Sequence, residues 1–167
     1  MKRDKFLTVM AVLDDRAQLV LSALQNKLTD LGLVGSHTTD VPFHVSLGSF
    51  PVSEQIRLTT KLRQTAGVCK PFTLELSRYA DFDKKVLFLQ PSYSDEMYRL
   101  HKLFEGNYSD GMPFVPHVTL FCGDEMSVEK AQSVLGILAQ PIAVTVTSLL
   151  IDEFFPAKLL ADFPLIG

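Results

Sequence analysis

A chain of 167 residues, 47% apolar and 21% charged, has the size and composition of one compact domain that holds its core without disulfides. Its formal charge of −3 and its scattered Lys and Arg argue against an extended groove for long duplex nucleic acid, which needs a basic stripe. Two cysteines, Cys69 and Cys122, with no Cys-x-x-Cys pair, exclude a secreted disulfide scaffold and a zinc knuckle. A nucleotide, a strand end or a short oligonucleotide stays compatible, because a small anion needs few local donors.

The charged start Met1–Lys5 followed by Phe6 to Leu13 mimics a signal peptide. The apolar run is short, no small-residue cleavage site follows and Asp14-Asp15 ends it, so a first core strand and a cytoplasmic protein are expected. No stretch reaches the length of a transmembrane helix. From Asp15 to Leu31, Val20, Ala23, Leu24, Leu28 and Leu31 recur at helical spacing, with Asp14 or Asp15 to cap and Gly32 to end the helix. Phe43 to Phe50 reads as a strand stopped by Pro51.

Ser53 is the expected cap of a second helix bearing Ile56, Leu58 and Leu62 and stopped by Gly67. Phe72 to Leu76 alternates as a half-buried strand, and Val86 to Leu89 is a short buried one after a turn at Asp83-Lys84-Lys85. A helix over Asp95 to Phe104 turns Met97, Leu100 and Phe104 inward, and Glu105 to Met112 is a loop. Phe114 to Cys122 is the next strand, and a helix capped by Ser127 carries Val128, Ala131, Leu135 and Leu138. Ile142 to Ile151 is a final long strand, with a short one around Lys158-Leu159-Leu160.

The order strand, helix, motif strand, helix, strand occurs twice, from Phe6 to about Tyr79 and from Val86 to about Ile151. The expected architecture is α/β (α+β): one domain of two related lobes, about 1–80 and about 84–167, joined by the short segment 80–85. Each half carries His-Val-Ser/Thr-Leu on its middle strand: His44-Val45-Ser46-Leu47 and His117-Val118-Thr119-Leu120. Strand alternation sends His44 with Ser46, and His117 with Thr119, to one face. Ordinary composition gives a histidine this sequel roughly 2% of the time. A lone strand histidine is ordinarily a core or rim residue; two at matching positions are not explained that way. His37 and His101 lack the hydroxyl partner and are expected in surface or helix-face roles.

Two imidazoles and two hydroxyls converging on one cleft suit phosphodiester chemistry. One imidazole takes a proton from the attacking oxygen, the other protonates the leaving ribose oxygen, and the hydroxyls hold the non-bridging oxygens. No metal or other cofactor is called for. A zinc site would want a third ligand at recognisable spacing, and Ser46 lacks the elbow of a covalent nucleophile.

At Phe43-His44-Val45-Ser46-Leu47-Gly48-Ser49-Phe50 and Phe114-Val115-Pro116-His117-Val118-Thr119-Leu120 the sequence resembles the 2H phosphoesterase superfamily, in particular its 2′-5′ RNA ligase group. Tyr79-Ala80-Asp81-Phe82 leading into Val86 to Leu89 looks like the family's connection between lobes. The resemblance spans roughly Phe6 to Ile151. It implies a bilobal pseudo-two-fold fold, with two antiparallel sheets facing a central cleft and helices packed outside. It also implies His44 and His117 as acid and base, and Ser46 and Thr119 as phosphate-binding residues. The implied activity is metal-independent cleavage of 2′,3′-cyclic phosphates or related 2′-linked phosphodiesters of nucleotides or RNA ends, by a monomer with no membrane partner.

One departure stands out. Many members carry a basic residue just after the second motif, where this chain has Phe121-Cys122-Gly123. The anion contact is then missing or comes from Arg78, Lys84 or Lys85. By strand parity Phe121 shares the face of His117 and Thr119, either to stack on a base or as a core phenylalanine. The alternatives to cyclic phosphodiesterase activity are a non-catalytic nucleotide-binding module of the same fold and an enzyme for 2′-5′ or cyclic signalling oligonucleotides.

Overall fold

The computed structural model describes residues 4–36, 40–106 and 113–167. The elements run β1 (Phe6–Leu13), α1 (Asp15–Thr29), β2 (His44–Pro51), a 3₁₀ turn (Val52–Glu54), α2 (Gln55–Val68), β3 (Phe72–Phe82), β4 (Val86–Pro91), α3 (Asp95–Leu103), β5 (Val118–Cys122), α4 (Glu125–Leu135), β6 (Ile142–Phe154) and β7 (Lys158–Pro164). His37 and most of the predicted loop, 107–112, fall outside the described residues. No helix among the described residues is long and apolar enough to cross a membrane.

The strands form one seven-stranded antiparallel sheet in the order β2-β1-β6-β3-β4-β5, with β7 on β6. The repeat in chain order is visible here as an exchange. β3 closes the first repeat but pairs with β4 of the second through Leu76 to Phe82. β6 closes the second repeat but pairs with β1 of the first through Val146 to Phe154. The two exchanged strands meet over Phe72–Leu76 and Ile142–Val146. That short ladder joins the sheets of the two halves edge to edge. A tight turn with positive φ at Asp83 and Lys84 completes the β3–β4 hairpin, so segment 80–85 is the end of β3 followed by the hairpin turn.

The main apolar cluster takes Leu7, Val9, Ala11 and Leu13 of β1 with Val45, Leu47, Val118 and Leu120 of the motif strands. Alternation leaves the other face of β1, with Thr8 and Met10, to line a cleft. In α1 the inward residues are Ala17, Leu21, Leu24 and Leu28; Leu24 and Leu28 belong to the predicted stripe, while Val20 and Leu31 are 37% and 56% exposed and Ala23 is exposed too. The apolar run Leu19-Val20-Leu21 fits either phase, and contact with the sheet decides.

Asp14 precedes α1, but its Oδ1 accepts from the Thr145 N–H at 3.0 Å, tying the helix start to β6. The helix α2 begins after the 3₁₀ turn that holds Ser53, so Ser53 is not its cap. Its buried face is Leu58, Leu62 and Ala66; Ile56 is 85% exposed, half a turn away, and Gly67 lies inside the last turn. In α4 the cap is Asp124, which accepts from the Ser127 N–H at 2.8 Å, an acid that also suits the positive helix start. The second motif strand begins at Val118, four residues later than predicted, after a segment held by Pro116, which has no N–H to donate to a ladder.

Candidate active site

Each motif histidine is locked in the same way. His44 Nδ1 lies 2.7 Å from the Pro42 carbonyl, and His117 Nδ1 lies 2.8 Å from the Val115 carbonyl. A carbonyl only accepts, so Nδ1 carries the proton in both rings and Nε2 is left for chemistry. Gln18 fixes the approach to His44: its side-chain amide accepts from the Phe43 N–H at 2.8 Å and donates to the Phe43 carbonyl at 2.9 Å. His117 is held by rings, edge-on to Phe82 at 4.8 Å and tilted against Phe88 at 5.2 Å.

Directly after each hydroxyl the strand carries a bulge. Met10 pairs with Ser46 while Val9 pairs with Gly48, so Leu47 is the extra residue of β2. Phe88 pairs with Thr119 while Leu87 pairs with Phe121, so Leu120 is the extra residue of β5. A bulge reverses the alternation beyond it. Phe121 therefore turns away from Thr119 into a cluster with Leu28, Leu33, Leu87, Val128 and Ala131, and is 2% exposed. Phe121 is thus the core phenylalanine of the two alternatives, and not a residue of the Thr119 face. Cys122 takes the place at the cleft instead.

Both freed bulge carbonyls are capped from the opposite half of the chain. The Leu47 carbonyl accepts from His101 Nδ1 of α3 at 2.8 Å, and the Leu120 carbonyl accepts from Gln25 Nε2 of α1 at 2.9 Å. His101 also stacks on Phe114, with centroids 3.7 Å apart and planes at 5°. It thus touches both motif segments, a tying role the sequence did not reveal.

A cleft of about 780 Å³ is lined by His44, Ser46 and Thr119, together with Thr8, Met10 and Cys122. His117 is not part of that lining; it is tied to the site through charge. Burial pushes the His44 pKa down, and the His117 charge lowers it further against the opposing pull of the Pro42 hydrogen bond. Burial likewise lowers the His117 pKa, opposed by the Val115 bond. The pair accepts one proton more readily than two. Burial also raises the Cys122 pKa, so the thiol there is neutral.

No Lys or Arg is among the described residues of this lining. Arg78 bonds Gln90 Oε1 at 2.9 and 2.6 Å, and Lys84 is paired with Glu125 and Glu129 at 3.0 and 2.7 Å. None of Arg78, Lys84 and Lys85 is among the lining residues of the cleft.

The sequence profile described as the 2′-5′ RNA ligase superfamily matches residues 13–151. The chain belongs to that superfamily. No curated protein sequence matches it. Among solved structures, TT0787 of Thermus thermophilus superposes with a TM-score of 0.66 at 16% identity, covering 97% of this chain and 98% of that one. E. coli LigT complexed with 3′-AMP superposes with a TM-score of 0.63 at 13% identity, covering 99% and 100%. A protein described as a phosphoesterase gives 0.61 at 16% identity, covering 98% and 99%. At these identities the superpositions establish the fold, and the superfamily brings with it the general class, the 2H phosphoesterases.

Proposed function

We propose that this protein hydrolyses 2′,3′-cyclic phosphates, or related 2′-linked phosphodiesters of nucleotides or RNA ends, by metal-independent acid–base catalysis between His44 and His117. The observation that supports the reading is the matched Nδ1 lock, which leaves Nε2 of His44 and of His117 for proton transfer, together with a cleft lined by His44, Ser46 and Thr119. LigT, a protein of the same fold, has been crystallised with 3′-AMP, phosphate, ATP and NADP+, the first of these a nucleoside phosphomonoester.

In the reaction, a neutral imidazole takes a proton from water as the water oxygen bonds to phosphorus. The bond from phosphorus to one ribose oxygen breaks, and the other imidazolium gives that oxygen its proton. One water is consumed; a phosphomonoester and a free hydroxyl form. One proton has then passed from acid to base, and exchange with solvent restores the pair. Ser46 and Thr119 donate to the non-bridging oxygens as charge gathers there.

The test is turnover of nucleoside 2′,3′-cyclic phosphates with EDTA present, on wild type, His44→Ala and His117→Ala. EDTA-resistant turnover lost in both variants is expected. Full turnover in either variant would overturn the mechanism.

A further inference from the structure

One polar stripe of α1 runs along the cleft and reaches both motifs. Gln18, Ser22 and Gln25 all line the cavity. At 3.6 residues per turn they fall within about 60° of the helix circumference. The stripe borders the buried one, Ala17, Leu21 and Leu28, that docks the helix on the core. Its two outer members are committed to backbone groups. Gln18 bonds the N–H and the carbonyl of Phe43, directly before His44, and also donates to the Leu13 carbonyl at 3.1 Å. Gln25 donates to the Leu120 carbonyl, directly after Thr119, at 2.9 Å.

Ser22 stands between them. Helical rise sets it about 6 Å from Gln18 and about 4.5 Å from Gln25 along the axis. Its place on the wall is therefore between the segment that positions His44 and the one that carries Thr119, and both of those residues line the same cavity.

A hydroxyl within a helix can bond back to the carbonyl four residues earlier. Thr29 of α1 does so, reaching the Gln25 carbonyl at 3.1 Å. Thr59 and Thr65 of α2 do the same, each at 2.8 Å. Ser22 does not: it is half-buried, and its hydroxyl has no hydrogen-bond partner among the described residues. Serine is also a weaker helix former than the Leu21 and Ala23 that flank it, so local helix stability gains nothing from it. What the position offers is a small donor, facing the cavity and open to a ligand.

We infer that Ser22 is a further catalytic residue, whose hydroxyl donates to a non-bridging oxygen of the reacting phosphate as a third hydroxyl beside Ser46 and Thr119. This rests on the phosphoesterase reading above and adds to it a contact from α1 that neither motif contains. Gln18 and Gln25 then act as positioning residues for all three hydroxyls, because one helix holds Ser22 at a fixed offset from both motif segments.

The test compares Ser22→Ala and Ser22→Thr with Thr29→Ala of the same helix. The substrates are adenosine 2′,3′-cyclic phosphate and the two diastereomers of its cyclic phosphorothioate, in which sulfur replaces one non-bridging oxygen or the other. Ser22→Ala is expected to lower kcat about tenfold with a smaller change in KM, since the donor meets charge that gathers in the transition state. Ser22→Thr keeps the hydroxyl and should recover most of that loss, while Thr29→Ala should match wild type. Sulfur is a weak acceptor, so the ratio of rates on the two diastereomers should change in Ser22→Ala and hold its wild-type value in Thr29→Ala. Wild-type kcat in Ser22→Ala, or a loss with an unchanged diastereomer ratio, would overturn the inference while wild-type turnover sustains the phosphoesterase reading. If wild type turns over none of the three, that reading fails, and calorimetry with inorganic phosphate decides the contact. A Kd weakened about threefold or more in Ser22→Ala and restored in Ser22→Thr keeps it, and an unchanged Kd removes it.

Discussion

The segments around His44 and His117 carry the same four-residue pattern in two different settings. His44 opens β2, lines the cleft and is approached by a chain that Gln18 holds at Phe43. His117 stands just before β5, outside the lining, wedged against Phe82 and Phe88. Beyond the bulge, β2 continues into Gly48, where a Cβ would fall 1.9 Å from the Phe104 carbonyl oxygen. At the matching place β5 continues into Phe121, which fills the core under α4. What both share is the Nδ1 lock, the bulge at the leucine, and a donor from the other half on the freed carbonyl. Those three features fix where each imidazole and hydroxyl point, and the packing behind them has been free to diverge.

If the shared features are what chemistry needs, the two histidines should matter equally despite their surroundings. His44→Ala and His117→Ala are each expected to lower kcat about 10²- to 10⁴-fold, and the double variant scarcely further, because acid and base act in one step. A loss confined to one histidine would break the comparison at its centre.

The divergent packing should show in stability instead. Phe121→Ala empties a core site and is expected to cost about 3–5 kcal/mol in urea unfolding, with the KM of the surviving enzyme little changed. Gly48→Ala forces a methyl into the Phe104 backbone and should cost about 1–3 kcal/mol by the same measurement. A Phe121 variant with native stability and a raised KM would restore it to the site.

How far the site could be read in advance follows from these residues. The motifs, their chain-order repeat and all seven strands are legible because apolar runs and turn residues mark them locally. The bulges are not, since alternation assumes an unbroken ladder, and that assumption misplaced Phe121. The donors on the bulge carbonyls are not legible either. Gln25 and His101 lie 95 and 54 residues from their partners, and nothing in their neighbourhoods announces the contact. Asp152 left a signal that went unused: an acid inside the apolar run of β6. The exchange of β3 and β6 is a matter of pairing, which a single sequence does not encode in any local pattern.

The capping donors offer a finer test of the pseudo-symmetry. Gln25→Ala leaves the Leu120 carbonyl without its side-chain donor and is expected to lower kcat about three- to tenfold, the worth of one hydrogen bond. His101→Ala should cost somewhat more, because stacking on Phe114 goes with it. His101→Gln, keeping an N–H donor, should recover part of the loss. No recovery together with a large stability loss would make His101 a packing residue and leave Gln25 without a counterpart.

The smallest effect distinguishes the histidines by proton linkage. Both pKa values are pushed down, first by burial, because desolvation penalises the imidazolium. In the free enzyme the bell of kcat/KM should therefore peak below pH 6.5, while kcat should peak higher, since a bound phosphate favours the protonated rings. The sign for stability is fixed by the same shifts. As pH falls through 6.5 the unfolded chain takes up protons before the folded one, so stability present above 6.5 is lost toward the lowered folded values. A melting temperature that falls by about 2–4 °C between about pH 7.5 and 5.5 is expected in the ligand-free protein. His44→Gln should flatten that slope more than His117→Gln, because His44 is the more deeply buried ring, whereas the repulsion between the two is mutual and is lost in either variant. Equal flattening would mean that the two sites, for all their different packing, are electrically alike.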